Sequence, residues 1–117
     1  MKLFDSELKV MKILWRSGDT EARDIAEELG KTTDWSKTTT YTVIKKCIDK
    51  GAVSRSEPNF VCHAEISRRE VQEYETTELI DKMYGGSADK LVASLLGSKR
   101  LSEKEIRDLK KLVEDLK

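Results

Sequence analysis

The residues best equipped for chemistry crowd into one short stretch. Thr38, Thr39 and Thr42 are followed by Lys45 and Lys46, with Tyr41 set among them. Threonine hydroxyls can bond base edges or phosphate oxygens, the threonine methyl can meet a thymine methyl, and lysine supplies charge to phosphates. That is recognition chemistry for a duplex rather than bond-breaking chemistry. Arg55 and Arg23 join the set as phosphate candidates on charge alone. Threonines and lysines also fill ordinary solvated helix faces, so these residue types by themselves leave DNA binding and plain solvation equally open.

Other chemistries are less well supported. Cys47, Cys62 and His63 are zinc-donor types. Cys47, however, falls on an apolar helical stripe, and His63 lies on the opposite strand face from Cys62. Buried free thiols acting as small hydrophobes are the expected reading, with no metal and no cofactor; a metal- or redox-responsive sensor built on the two cysteines is the lesser alternative. The sole histidine has no nucleophile at a recognisable spacing, and neither a P-loop nor a Gly-x-Gly-x-x-Gly occurs, so no enzyme is expected. Trp15 and Trp35 read as packing residues.

Three helices and a hairpin must position this chemistry. Asp5 is a plausible N-cap for a helix over 6–17 with Leu8, Met11, Leu14 and Trp15 as its stripe. Thr20 would cap a second helix over 20–29, with Ala22, Ile25, Ala26 and Leu29 inward and Gly30 as the C′ residue. Ser36 caps a third over 36–50, closed by Gly51, whose inward stripe is Thr40, Val43, Ile44, Cys47 and Ile48. The threonines and lysines of the first paragraph then face outward, with Tyr41 at the flank. The period next falls to 2: residues 52–56 and 60–66 form a hairpin through Glu57-Pro58-Asn59. The fold class is therefore mainly α with a small β-hairpin, a winged helix-turn-helix over 1–66 whose third helix can enter a major groove.

Charge is sorted along the chain. The whole sequence of 117 residues carries 22 Lys+Arg against 22 Asp+Glu, so it is neutral overall. Residues 36–56 hold Lys37, Lys45, Lys46, Lys50 and Arg55 against Asp49 alone, a net of +4, whereas residues 5–34 hold five cations against eight anions, a net of −3. So modest a patch predicts weak binding by one module and useful binding by two.

Residues 67–117 supply a means of pairing. Val71, Tyr74, Ile80 and Met83, then Leu91, Leu95 and Leu96, then Ile106, Leu109 and Val113 recur at helical spacing, the last group following a Ser102-x-x-Glu105 capping box. Some fifty residues scarcely close a core alone, since domains below roughly 40 to 60 residues are marginal. Packing on the same segment of a second chain would bury these stripes and set two recognition helices about one DNA turn apart; the alternative is that the tail folds back on its own winged helix. No apolar run reaches the roughly 18 residues that span a bilayer, and the charged start is unlike a signal peptide, so a cytoplasmic location is expected.

Five pieces in order resemble a known family: Glu7-x-x-Val10-Met11-x-x-x-Trp15; Asp34-Trp35-Ser36; Thr39-x-Tyr41-Thr42-Val43-Ile44 running into Lys50-Gly51; Phe60-Val61-Cys62-His63-Ala64; and Lys82-Met83-Tyr84-Gly85-Gly86. The chain is similar to the penicillinase-repressor family, the BlaI, MecI and CopY transcriptional repressors. The resemblance implies a homodimer with an N-terminal winged helix on a palindromic operator and C-terminal dimerisation helices over 67–117. It carries over Thr39 and Thr42 as DNA contacts, with Thr38, Tyr41 and Lys45 beside them. In the β-lactam-responsive members a membrane sensor-protease pathway signals cleavage within the dimerisation helices, and the matching bond is about Ser94-Leu95. Those members resemble one another in an Asn-Phe pair there, and the copper-responsive members end in Cys-x-Cys motifs that this sequence lacks. A link to antibiotic resistance is thus implied by the family and not by those motifs.

The leading expectation is a cytoplasmic homodimeric repressor bound to double-stranded operator DNA. Its rival is a winged-helix module that binds a protein through the third helix or hairpin and does not bind DNA. Salt dependence separates the two, because phosphate contacts weaken steeply as salt rises.

Overall fold

A computed structural model describes residues 1–115, apart from the side chains of Val113 and Asp115. The chain divides into two compact units, Met1–Glu75 and Thr76 onward.

The first unit is built on three helices, α1 (Asp5–Ser17), α2 (Ala22–Thr32) and α3 (Lys37–Asp49), and three short strands, β1 (Thr20–Glu21), β2 (Val53–Ser56) and β3 (Val61–Ala64). The strands form one antiparallel sheet in the order β1-β3-β2. Val10, Met11, Ile13 and Leu14 of α1, Ile25 and Leu29 of α2, and Val43, Ile44 and Cys47 of α3 meet Ala52, Val53 and Cys62 in one core. The α2 stripe is the buried face, as is that of α3 apart from half-buried Ile48, but the α1 stripe is rotated: Val10 and Ile13 join Met11 and Leu14 in the core, whereas Leu8 and Trp15 are only half-buried at its edge. Trp15 and Trp35 pack partly buried against that core, and the Trp15 indole Nε1–H donates to the Ile66 carbonyl at 2.9 Å.

Several local expectations change. Thr20 does not cap α2. It pairs with Cys62 and Glu21 with Val61, which adds a third strand to the hairpin, while the Thr20 hydroxyl donates to the Gly18 carbonyl. Gly30 lies inside α2 rather than ending it, because the helix continues to Thr32 and closes with the Thr33 N–H on the Leu29 carbonyl. Phe4, not Asp5, is the N-cap of α1, and the Glu7 carboxylate accepts the Phe4 N–H at 2.7 Å. Phe60 belongs to the turn, with φ at +51°, not to β3.

Among the described residues the tail holds three helices, α4 (Arg68–Met83), α5 (Ala88–Gly97) and α6 (Glu103–Asp115), joined by short turns. The expected capping box opens α6: the Glu105 N–H reaches the Ser102 hydroxyl, and the Glu105 carboxylate accepts the Ser102 N–H. Hydrogen bonding from the Ser102 N–H and, secondly, its hydroxyl holds the Glu105 carboxyl below its usual range. Ser67 and Glu70 repeat the device at the start of α4.

Val71 departs from the expected dimerisation set. It is 4% exposed in the core of the first unit, because α4 begins within that unit and lays its first turns against the winged helix. The other proposed interface residues look outward or sit half-buried. Met83, Leu95, Leu96 and Leu109 are exposed, and Tyr74, Ile80, Leu91 and Ile106 are half-buried. The Val113 side chain lies outside the described residues.

Candidate nucleic-acid interface

The cap that starts α3 also shapes its outer face. Ser36 has extended backbone geometry, and its hydroxyl accepts the Thr39 N–H at 3.1 Å, which satisfies one of the donors left open at a helix start. From there the period buries Thr40, Val43, Ile44 and Cys47 and leaves Thr38, Thr39, Thr42, Lys45, Lys46 and Asp49 exposed, with Tyr41 half-buried between. Lys37, Thr38, Tyr41, Thr42 and Lys45 line one shallow open hollow. Thr39 sits on the cap side, its hydroxyl 2.9 Å from that of Ser36.

The hydroxyls are partly committed. Thr42 donates to the Thr38 carbonyl at 2.9 Å, so in this rotamer it presents acceptor lone pairs and a methyl group. Those suit an amino group on a base edge or a thymine methyl.

The wing is joined to this face by aromatic contact. The Phe60 and Tyr41 rings meet edge to face at 5.7 Å between centroids, the Arg55 guanidinium lies 3.6 Å over Phe60, and Lys37 lies 5.8 Å from the Tyr41 centroid. Arg55 also pairs with Glu57. Arg23 of α2 lines a second hollow together with Lys37 and pairs with Glu21 at 2.7 Å. The seven residues singled out from sequence thus fall on α2, α3 and the wing of one unit.

Charge counting along the chain overstated this patch. Lys50 turns inward, where its ammonium donates to the Glu7 carboxylate at 2.7 Å and to the Lys2 carbonyl at 2.9 Å, beneath the Phe4 ring. Glu7 is 1% exposed. Lys50 therefore locks the end of α3 to the start of α1 instead of facing a ligand. The cations left on the outer face are Lys37, Lys45 and Lys46. Two participants stand outside the expected site residues: Lys37, counted only as charge, and Phe60, placed only in the second strand. Lys37 stands one turn before Tyr41, a spacing that could have placed it on the same face, whereas the contact of Phe60 with Tyr41 has no local signature.

The cysteines belong to the core. Burial pushes the Cys47 thiol up to about 12, helped by the Glu7 charge, and the Cys62 thiol up to about 11. Such thiols are inert at neutral pH. His63 is exposed on the other strand face, its Nδ1 2.6 Å from Asp19. Among the described residues no group of three or more His, Cys, Asp or Glu side chains could hold a metal ion, and no helix is long and apolar enough to cross a membrane.

Comparison with known proteins agrees with this geometry. Residues 3–115 match the family described as penicillinase repressor. The penicillinase repressor of Bacillus licheniformis is 29% identical over 118 residues, covering 99% of this chain and 92% of that protein. The methicillin resistance regulatory protein MecI of Staphylococcus aureus is 27% identical over 114 residues, covering 96% and 93%. Among solved structures, the DNA-binding domain of the repressor BlaI superposes with a TM-score of 0.55 at 31% identity, covering 59% of this chain and 87% of that one. The monomeric Bacillus licheniformis BlaI in complex with the blaP half-operator gives 0.53 at 30% identity, covering 60% and 88%. A winged helix carrying a threonine- and lysine-faced third helix, matched along almost its whole length, places this chain in the penicillinase repressor family of transcriptional repressors, which are not enzymes.

Proposed function

We propose that this protein is a DNA-binding transcriptional repressor that acts in the cytoplasm as a homodimer on a palindromic operator. The observation that carries the reading is the outward face of α3, where Thr38, Thr39, Thr42 and Lys45 stand free of the core beside Tyr41. The half-operator complex of the related BlaI lends it support. In this reading α3 enters the major groove, Lys45 and Arg23 neutralise phosphates, and Arg55 on the wing reaches the backbone once released from Glu57.

Dimerisation is supported by the tail. Leu79, Met83, Val92, Leu95, Leu96, Leu109 and Leu112 all remain exposed, and large apolar side chains left open on three successive helices call for a partner surface. Pairing two modules raises the effective concentration of the second at its half-site, so loss of pairing lowers operator occupancy without touching a single base contact. Relief by proteolysis at Ser94-Leu95, through a membrane sensor pathway, completes the proposal. That bond lies within α5, and the Ser94 hydroxyl accepts from the Tyr84 hydroxyl at 3.1 Å. Local unwinding of α5 would therefore precede any cut.

The test is Thr42→Glu in a mobility-shift titration against operators selected from random DNA. The side chain is exposed, so the fold should survive, and a carboxylate facing bases and phosphates should abolish binding. Unchanged affinity, or binding that ignores salt, would favour the protein-interaction alternative. Selected sequences without two-fold symmetry would count against the dimeric operator reading.

A further inference from the structure

A third concavity lies on the first unit, between α1 and the first turns of α4. Leu8, Lys12, Trp15 and Arg16 form one face of α1 at helical spacing, Arg68, Val71, Gln72 and Glu75 form one face of α4, and together they line a half-open hollow of about 460 Å³. That is within the range of small-molecule sites, roughly 300–1,000 Å³. Its walls are apolar where Leu8, Trp15 and Val71 meet, and the Trp15 ring is held in place by its bond to the Ile66 carbonyl.

The charges around it are unevenly matched. Arg16 is tied to Glu28 at 2.6 Å, and Glu75 to Lys2 at 3.1 Å. Lys12 and Arg68 have no carboxylate partner among the described residues, and the Arg68 guanidinium rests over the Trp15 ring at 5.5 Å from its centroid. A fixed indole wall beside two uncompensated cations is complementary to a flat ring bearing one negative charge. Arginine binds a carboxylate through two parallel N–H bonds, which aligns the ring it carries with the neighbouring apolar wall.

We propose that this hollow binds a small aromatic carboxylate, its ring against Trp15, Leu8 and Val71 and its carboxylate on Arg68 and Lys12. The site lies opposite in character to the outer face of α3, which has hydroxyls and lysines but only a shallow, open surface. It draws on neither the operator reading nor the dimer. Its formation from α1 and α4 means that a ligand there would brace the root of the helix that leads into the tail.

The probe is 2-naphthoate, titrated into the full-length protein with 2-naphthamide as its neutral counterpart, and read by NMR at the Trp15 indole N–H. The expected result is saturable binding at millimolar concentration or below, about tenfold weaker for the amide and about tenfold weaker for the Lys12→Met, Arg68→Met variant, both of whose substitutions are at exposed positions. The Lys9→Met variant, changed at an exposed position of α1 outside the hollow, should bind as the unaltered chain does. Absence of saturation, equal binding of the neutral amide, retention of affinity in the double variant, or perturbations centred on α5 and α6 would each overturn the proposal.

Discussion

The two units of this chain treat their apolar residues in opposite ways. In the first, every helix turns its stripe into one core, and Val10, Met11, Ile25, Ile44, Cys47 and Cys62 have essentially no exposure. In the second, no described side chain is buried at all, and leucines on α4, α5 and α6 remain open to solvent. Hydrophobic period alone made both regions look alike. The difference teaches that a regular stripe reports the need for a partner surface without saying whether the same chain provides it. The winged helix satisfies that need internally, whereas the tail calls for something more.

The contrast breaks most sharply under paired substitutions. Ile44→Ala, which removes buried volume from the core, should cost about 2–5 kcal/mol of folding stability. Calorimetry checks this. Met83→Ser, Leu96→Ser and Leu112→Ser together should leave the melting of the first unit within about 0.5 kcal/mol, because these side chains contribute nothing to its core. Sedimentation of the same variant should shift from dimer to monomer. A dimer that persisted would show that the tail stripes are not what joins two chains.

Next in size is the buried ion pair. Lys50→Met strands the Glu7 carboxylate, 1% exposed, without its cation and should cost about 3 kcal/mol, at the low end for a buried pair because the Lys50 side chain keeps 30% exposure. Adding Glu7→Gln should recover much of the loss. Denaturant titration of the two variants decides the matter, and equal stability of both would mean that the pair does not anchor α3 to α1.

This pair also marks how far the sequence was legible. Helix α3, the hairpin and the outward threonines follow from period and capping, which are local; the existence of α1 follows from period, although its cap is Phe4 rather than Asp5. So does the Ser102–Glu105 box. Residues whose roles depend on distant partners were read wrongly or missed. Thr20 looks like a helix cap until β3 arrives beside it, and a two-residue strand has no period of its own. Lys50 counts as a surface cation until Glu7, forty-three residues earlier, is brought against it. Val71 continues the tail stripe in sequence, yet it belongs to the core of the first unit. The candidate interface was legible in its residue types and its face, but not in the Arg55–Phe60–Tyr41 contact that ties wing to helix, because that contact is made by tertiary packing alone.

The wing offers a smaller and more specific test. Arg55 is held by Glu57, a carboxylate that a phosphate must displace if Arg55 is to reach DNA. Glu57→Gln should tighten operator binding about two- to fivefold, the scale of one exposed ion pair. It should also steepen the salt dependence by about one released counterion. Asp49→Asn makes the same charge change on the exposed face of α3 without an arginine partner. An equal gain there would reduce the Glu57 effect to net charge.

The smallest effect separates the units by pH. The chain has one histidine, and it lies in the first unit. A hydrogen bond and the charge of Asp19 raise the His63 pKa above its ordinary 6.5, so the folded state favours the imidazolium. A raised pKa means that this contribution is fully present below pH 6.5 and is lost as pH climbs through the folded-state value. Because the pair is exposed, the change in melting temperature should be slight. The unaltered protein and Asp19→Asn should differ most below pH 6.5 and converge above the folded-state pKa, while NMR titration of His63 should fall back toward 6.5 in the variant. Self-association through the tail has no histidine to titrate, so it should hold constant across the same interval. A dimer that weakened in step with His63 would couple the two units and erase the independence on which their comparison rests.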